Sequence, residues 1–233
     1  MFFGWQVSVG GAASCCDTGT VQETSGVRAP RQARSQRTLE RVLEAGAEVF
    51  AAGGYDGFTI AEVCRLASSS TGAVYTRFEN KDALVRAVHD HIMADMVRVV
   101  AALYAPSPAW EALTTPQLIE HAVRLLADHF RERSDMVRAV VLRAAVDSVM
   151  RASGAAAIRR MADAFTARLL DRAADYPHAD PEAAVRGVFG MVFEAISWDV
   201  AFGAEFREAG ALGAPPDERM PAVARMVLLT AAE

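Results

Sequence analysis

Three residues that favour helix starts, Thr59, Ser70 and Asn80, stand so close together that the helices between them must be short. Thr59 is followed three residues later by Glu62, the spacing of a reciprocal capping box, and Phe58 and Val63 occupy the flanking staple positions. Ile60, Val63, Cys64 and Ala67 then recur at helical spacing and give that first helix one apolar face. Ser68-Ser69-Ser70 interrupts the pattern. In the second helix Val74 and Phe78 lie one turn apart and face inward, which leaves Thr71, Gly72, Ala73 and Thr76 outside, small and uncharged. Asn80 opens a third helix with Lys81, the only lysine of the chain, in its first turn. A cation there opposes the helix dipole, so a negative partner outside the protein explains Lys81 better than folding does. A short helix with a small-residue outer face suits close approach to base edges in a major groove. The stretch is a helix-turn-helix.

Ser-Thr-Gly-Ala-Val-Tyr-Thr-Arg-Phe-Glu-Asn-Lys-Asp-Ala-Leu, residues 70–84, closely resembles the recognition helix and following helix start of the tetracycline-repressor (TetR) family of bacterial regulators. The resemblance reaches back through Phe50, Gly54, Phe58 and Thr59 and covers roughly residues 34–98. It departs at one place: the family usually has Gly-Val before the capping Ser, whereas this chain has Ser68-Ser69 at a turn where a positive φ favours glycine. The resemblance implies that Thr71, Gly72, Ala73 and Thr76 face bases. It also implies that Tyr75 reaches a phosphate while its ring packs, and that Thr59, Ser70, Arg77 and Lys81 contact the DNA backbone. It implies a homodimer, a palindromic double-stranded operator, a helical body that binds a small-molecule effector, and a repressor role.

Charge agrees with this division. The chain carries a net −5, but residues 28–90 balance at +1 and the remainder at −6. Its 233 residues, 52% of them hydrophobic, suffice for a sizeable core in one or two domains. Cys15 and Cys16 are adjacent and Cys64 lies on an apolar helix face, so no disulfide framework exists and a reducing, cytoplasmic compartment is expected. No apolar run is long enough for a membrane span. Catalytic motifs, phosphate loops and metal-spaced ligands are all missing from the sequence, so neither an enzyme nor a cofactor is expected. His89 and His91, two apart, point to different sides of a helix and make a poor metal pair.

Residues 1–33 read as a disordered tail ending in a basic arm, 34–80 as the three-helix DNA-binding domain, and 81–233 as a helical ligand-binding and dimerisation domain. In the arm region Arg28, Arg31, Arg34, Arg37 and Arg41 are joined by a single acid, Glu40, and Arg34 is a candidate for phosphate or minor-groove contact. A first helix is expected over Ser35–Ala52, ended by Gly53-Gly54. A long helix should follow from Lys81 to about Leu103, then helices near 116–132, 135–152, 155–175, 181–203 and 218–232, with Ser153-Gly154 as one of the breaks. β-alternation persists nowhere, so the fold is expected to be all-α.

The body is less legible. His121 shares a helix face with His129; Arg143 and Asp147, at i and i+4, are either a ligand-reading pair or a helix salt bridge. Phe189, Phe193 and Trp198 line an apolar pocket, fill the core, or form a subunit interface. His121, Arg143, Asp147, Phe189 and Trp198 are the ligand candidates. Small and apolar residues recur at helical spacing through Ala184, Gly187, Val188, Met191, Ala195, Trp198 and Phe202, and again through Val223 and Val227. Two such stripes per subunit make a four-helix interface, with Gly187, Met191, Ala195, Val223 and Val227 at its centre. The expected function is a ligand-released, sequence-specific transcriptional repressor. The alternative is a helical small-molecule-binding protein or enzyme with a degenerate DNA-binding domain.

Overall fold

Without proline between residues 31 and 105, long helices form freely, and the punctuation beyond that point sets the rest. The computed structural model describes residues 31–206 and 213–230. Among these there is no strand. The elements are α1 (Arg31–Gly57), α2 (Ile60–Leu66), α3 (Thr71–Tyr75), α4 (Lys81–Leu103), α5 (Pro108–Glu111), α6 (Thr115–Arg131), α7 (Ser134–Ala144), α8 (Ser148–Leu170), α9 (Pro181–Phe206) and α10 (Pro216–Leu229). Residues 1–30, with the expected tail and Arg28, lie outside the described residues.

Two departures from the sequence expectations have physical causes. The basic segment from Arg31 is the start of α1, not an extended arm, because no proline or glycine interrupts it before Gly46. The break expected at Ser153-Gly154 falls instead at residues 145–147. Asp147 there is extended, and its carboxylate accepts the amides of Val149 and Met150 at 3.0 and 3.2 Å, a strong helix start. Gly154 lies inside α8, where its missing side chain admits His89 of α4.

α4 is the shared beam. Its first half packs on α1, and its full length runs along α8 into the body. At Gly46 the approach of α1 is so close that a Cβ would stand 2.4 Å from Cγ2 of Val88. Edge-on Phe50 and Phe58, centroids 6.3 Å apart, fill the small domain with Val63, Val74 and Leu84. In the body an aromatic series runs from Trp110 through Tyr104, Phe165 and Phe189 to Phe193 and Phe130, neighbours 5.5–5.9 Å apart. Arg168 of α8, nearly buried, donates twice to the Tyr104 carbonyl (3.0 and 2.9 Å) and so supplies a cation to the C-terminal end of α4.

His129, buried in α6, accepts from the Arg133 guanidinium through Nδ1 at 3.1 Å, while its Nε2 has no partner. Burial, and then the Arg133 charge, push its pKa down to about 4. The unfolded chain therefore binds a proton that the folded chain refuses between pH 6.5 and about 4. The stabilising contribution is complete above that window and is lost as pH falls through it. In denaturant titrations His129→Leu should flatten the decline in stability between about pH 6 and 5 by roughly 1.4 kcal/mol per pH unit. A variant with the wild-type slope would show that this histidine is not the titrating group.

Candidate nucleic-acid interface and effector cavity

The caps at the helix-turn-helix form as the residue types dictate. Thr59 is extended and its hydroxyl accepts the Glu62 amide at 3.2 Å; Ser70 does the same for Ala73 at 3.2 Å, and Asn80 for Ala83 at 2.9 Å. The reciprocal half of the expected capping box is not made. The Glu62 carboxylate turns to Arg65, which grips it with two hydrogen bonds of 2.8 and 2.5 Å. The Phe58–Val63 staple is fully buried.

Thr71, Gly72 and Thr76 are exposed on α3, Ala73 partly so, and Val74 beneath them is buried. Nothing lies within 4 Å of the position a Cβ would take at Gly72. Tyr75 is 53% exposed. Thr76 donates back to the Ala73 carbonyl at 2.8 Å. Arg77 spans from that carbonyl (3.1 Å) to Ser35 of α1, whose hydroxyl it reaches at 2.5 Å. Arg34, Arg37 and Arg41 are exposed on α1. Lys81 has an intramolecular neighbour that the sequence did not announce: Nζ lies 4.2 Å from the ring centroid of Tyr55.

Ser68, where the resemblance led to glycine, has φ +48°, the sole non-glycine positive φ among the described residues. The turn keeps its left-handed geometry and serine bears the strain, which costs roughly 1–2 kcal/mol for an L-residue. Ser68→Gly releases that strain but loosens the unfolded chain, so a net gain of about 0.5–1 kcal/mol is expected in thermal or denaturant unfolding. Ser68→Val, with a branched side chain, should lose stability. Equal stability of serine, glycine and valine variants would contradict the strain.

The five ligand candidates do not come together. His121 is exposed on α6 with its ring 4.9 Å from that of Trp110. Phe189 is buried, stacked on Phe193. Trp198 is 53% exposed and lies against Phe202, centroids 4.7 Å apart. Arg143 and Asp147 sit where the small domain meets the body. Asp147 is 5% exposed and accepts from Arg86 of α4 at 3.1 Å and from Arg143 at 3.5 Å. Arg143 also reaches Asp82 at 3.5 Å and lies over the Tyr55 ring at 3.7 Å, while the Tyr55 hydroxyl donates to Asp82 at 2.5 Å. That hydrogen bond pushes the Tyr55 pKa up. Burial pushes the Asp147 carboxyl up too, but the amides of Met150 and Val149 and the Arg86 guanidinium outweigh it and hold it below the ordinary value.

The apolar cavity lies elsewhere, among α4, α6, α7, α8 and α9. It measures about 380 Å³ and is lined by His89, Met93, Met96, Phe130, Ile158 and Phe193 among others. His89, Met93 and Met96 follow one face of α4 at i, i+4, i+7, so a sequence search for histidine within an apolar stripe could have found them. A larger depression of about 600 Å³ lies between the end of α1 and α7, but its lining is mixed polar and apolar. The site with the apolar lining is the better small-molecule cavity. Among the described residues no group of three metal-ligating side chains gathers, and no helix is long and apolar enough to cross a membrane.

Gly187 and Met191 of α9 are exposed along one strip with Trp198 and Phe202, and Ala195 between them is half-buried against the core. Val223, Met226 and Val227 of the neighbouring α10 extend it; Val223 and Val227 are half-buried. Val188, expected in that stripe, is fully buried and belongs to the core instead.

Residues 42–88 match the family model described as bacterial regulatory proteins, tetR family. HTH-type transcriptional regulator UidR of Escherichia coli (strain K12) is 27% identical over 106 residues, 46% of this chain and 52% of UidR. The A-factor receptor protein of Streptomyces griseus is 37% identical over 60 residues, 26% of this chain and 22% of that receptor. The chain thus spans about half the length of UidR, and less of the receptor. Among solved structures, a tetR-family transcriptional regulator from Mesorhizobium loti MAFF303099 shares the fold with a TM-score of 0.65 at 18% identity, over 84% of this chain and 95% of that one. The transcriptional regulator FadR from Bacillus subtilis, in complex with stearoyl-CoA, superposes with a TM-score of 0.58 at 13% identity over 82% of this chain and 97% of its own. Residues 42–88, which hold the helix-turn-helix, are thus similar to the tetR family of bacterial regulatory proteins, and the rest of the chain shares the fold of solved regulators of that kind.

Proposed function

We propose that the protein is a homodimeric, sequence-specific transcriptional repressor that a small molecule releases from a palindromic operator. The observation that carries this reading is the outer face of α3: Thr71, Gly72 and Thr76 are open to solvent on a helix whose inner face is locked by buried Val74. Small side chains let the helix approach base edges, and Thr59 and Ser70 set two helix N-termini toward phosphate. Tyr75, Arg77, Lys81 and Arg34 supply phosphate contacts; Lys81 leaves the Tyr55 ring and Arg77 leaves Ser35 when they do so. The small domain is taken as residues 34–80 and the ligand-binding and dimerising body as 81–233. The DNA partner places the protein in the cytoplasm, and no reaction is assigned to it.

Specific operators need two reading heads about 34 Å apart, or a multiple of one DNA turn. The open α9–α10 strip, with Gly187 allowing close approach and Met191, Ala195, Val223 and Val227 around it, is the surface that joins two chains. Effector release is supported by the apolar cavity beside α4, and by the ligand bound in the FadR structure of the same fold.

Selection from a random duplex pool should return a palindrome. Thr71→Ala should then change base preference at one position per half-site, at a cost of about 1–3 kcal/mol there. Lys81→Ala should weaken binding to all duplexes alike and lower the salt slope by roughly one. Gly187→Arg should sediment as a monomer and lose the palindrome. Single half-sites in the selection, or a Lys81→Ala variant with altered sequence preference and an intact salt slope, would contradict the assignment.

A further inference from the structure

The chamber beside α4 carries one polar feature that neither packing nor DNA binding uses. His89 is fully buried, Nε2 included, and that nitrogen faces Gly154 of α8, where a Cβ would stand 3.7 Å from it. The other ring nitrogen, Nδ1, lies 3.4 Å from Oδ1 of Asp90, which also accepts the Ser153 hydroxyl at 2.6 Å. A carboxylate oxygen only accepts, so Nδ1 holds the ring proton and Nε2 presents a lone pair. Burial holds the imidazole pKa below its ordinary value, which keeps the ring neutral. Nε2 has no hydrogen-bond partner in the protein.

The walls around it are almost wholly apolar. Ser197 lies at one side, and Arg151 at the rim is exposed and donates to the Ala144 and Ala145 carbonyls at 3.2 and 2.8 Å. A water molecule here would find an acceptor but few of the further polar partners that hold buried water in place. An anion would set its own lone pairs against that of Nε2, in surroundings where an uncompensated charge is costly. At about 380 Å³ the space is near the small end of small-molecule sites.

We infer that the effector is a small, neutral, largely apolar molecule with one hydroxyl, of the alkylphenol kind, which it donates to Nε2 of His89. The inference rests on the cavity being the effector site. It differs from an acyl-chain ligand, whose hydrocarbon offers no donor to the histidine.

Calorimetric titration of the full chain with 4-propylphenol and 4-butylphenol, their methyl ethers and 4-butylbenzoate tests it. The wild type should bind each phenol about tenfold or more tighter than its ether, and the benzoate weakest. His89→Leu should abolish the phenol-over-ether preference, bringing the pair to within about twofold. If that variant does not fold, Gly154→Val covers Nε2 at ordinary contact distance and carries the same expectation. Ethers or benzoate binding as tightly as the phenols, a preference that survives in the variants, or no binding of either phenol would each overturn it. Operator release is measured separately. Phenol binding with the predicted preference but no release upholds the ligand class and refutes the repressor reading. Release by a molecule without a donor does the reverse.

Discussion

The carboxylate of Asp147 ties the two halves of the molecule together. It starts α8 by taking two backbone amides, and it receives Arg86 from α4, the helix that leaves the DNA-binding domain. A carboxylate this buried is tolerable because all its partners are donors, two backbone amides and the guanidinium groups of Arg86 and Arg143. Around it Arg143, Tyr55 and Asp82 interlock, so the end of α1, the start of α4, the end of α7 and the start of α8 meet in one charged cluster. The orientation of α3 relative to the body follows from this cluster and from the close contact of Gly46 with Val88.

The cavity lies one step along the same helices. His89 is one turn beyond Arg86 on α4, Ala144 and Ala145 directly precede the Asp147 start, and Gly154 follows it on α8. An occupant that pushes on α4 or on the α7–α8 corner therefore acts on the elements that Arg86 and Asp147 fasten. For a ligand to release DNA it must bind better when that junction is displaced than when it is closed. The geometry supplies the contact through which such a difference can act.

How much of this was legible in the sequence depends on the range of the interactions. The caps at Thr59, Ser70 and Asn80, the limits of α4 and the all-α class are local, set by residues within a turn of one another, and are all present in the fold. The α7–α8 break falls at Asp147 and not at Ser153-Gly154, because an aspartate that caps a helix start outweighs a glycine that a helix can absorb. The i, i+4 spacing to Arg143 points to a ligand-reading pair or a salt bridge, not to a cap. Arg143 and Asp147 do pair, but their role is defined by Arg86, Asp82 and Tyr55, distant in sequence. In sequence His89 has His91 as its obvious neighbour, whereas in the fold its company is Met93, Met96 and Gly154. Val188 and Gly187 shared one stripe on paper; the packing of α9 against α8 and α7 buries the first and leaves the second outside.

The Asp147 junction fixes how the helix-turn-helix is held against the body, so the most direct measurement is the ratio of affinities for the selected duplex and for random sequence in Asp147→Asn. The comparison is made in protein that keeps the helical content and sedimentation of the wild type. Asparagine can still cap α8 through its carbonyl but loses the charge that holds Arg86 and Arg143. The account predicts that the ratio falls about tenfold or more while affinity for random duplex stays within about twofold, since Arg34, Arg77 and Lys81, the proposed phosphate contacts, remain. An unchanged ratio would mean that the junction does not govern how the helix-turn-helix is presented to DNA.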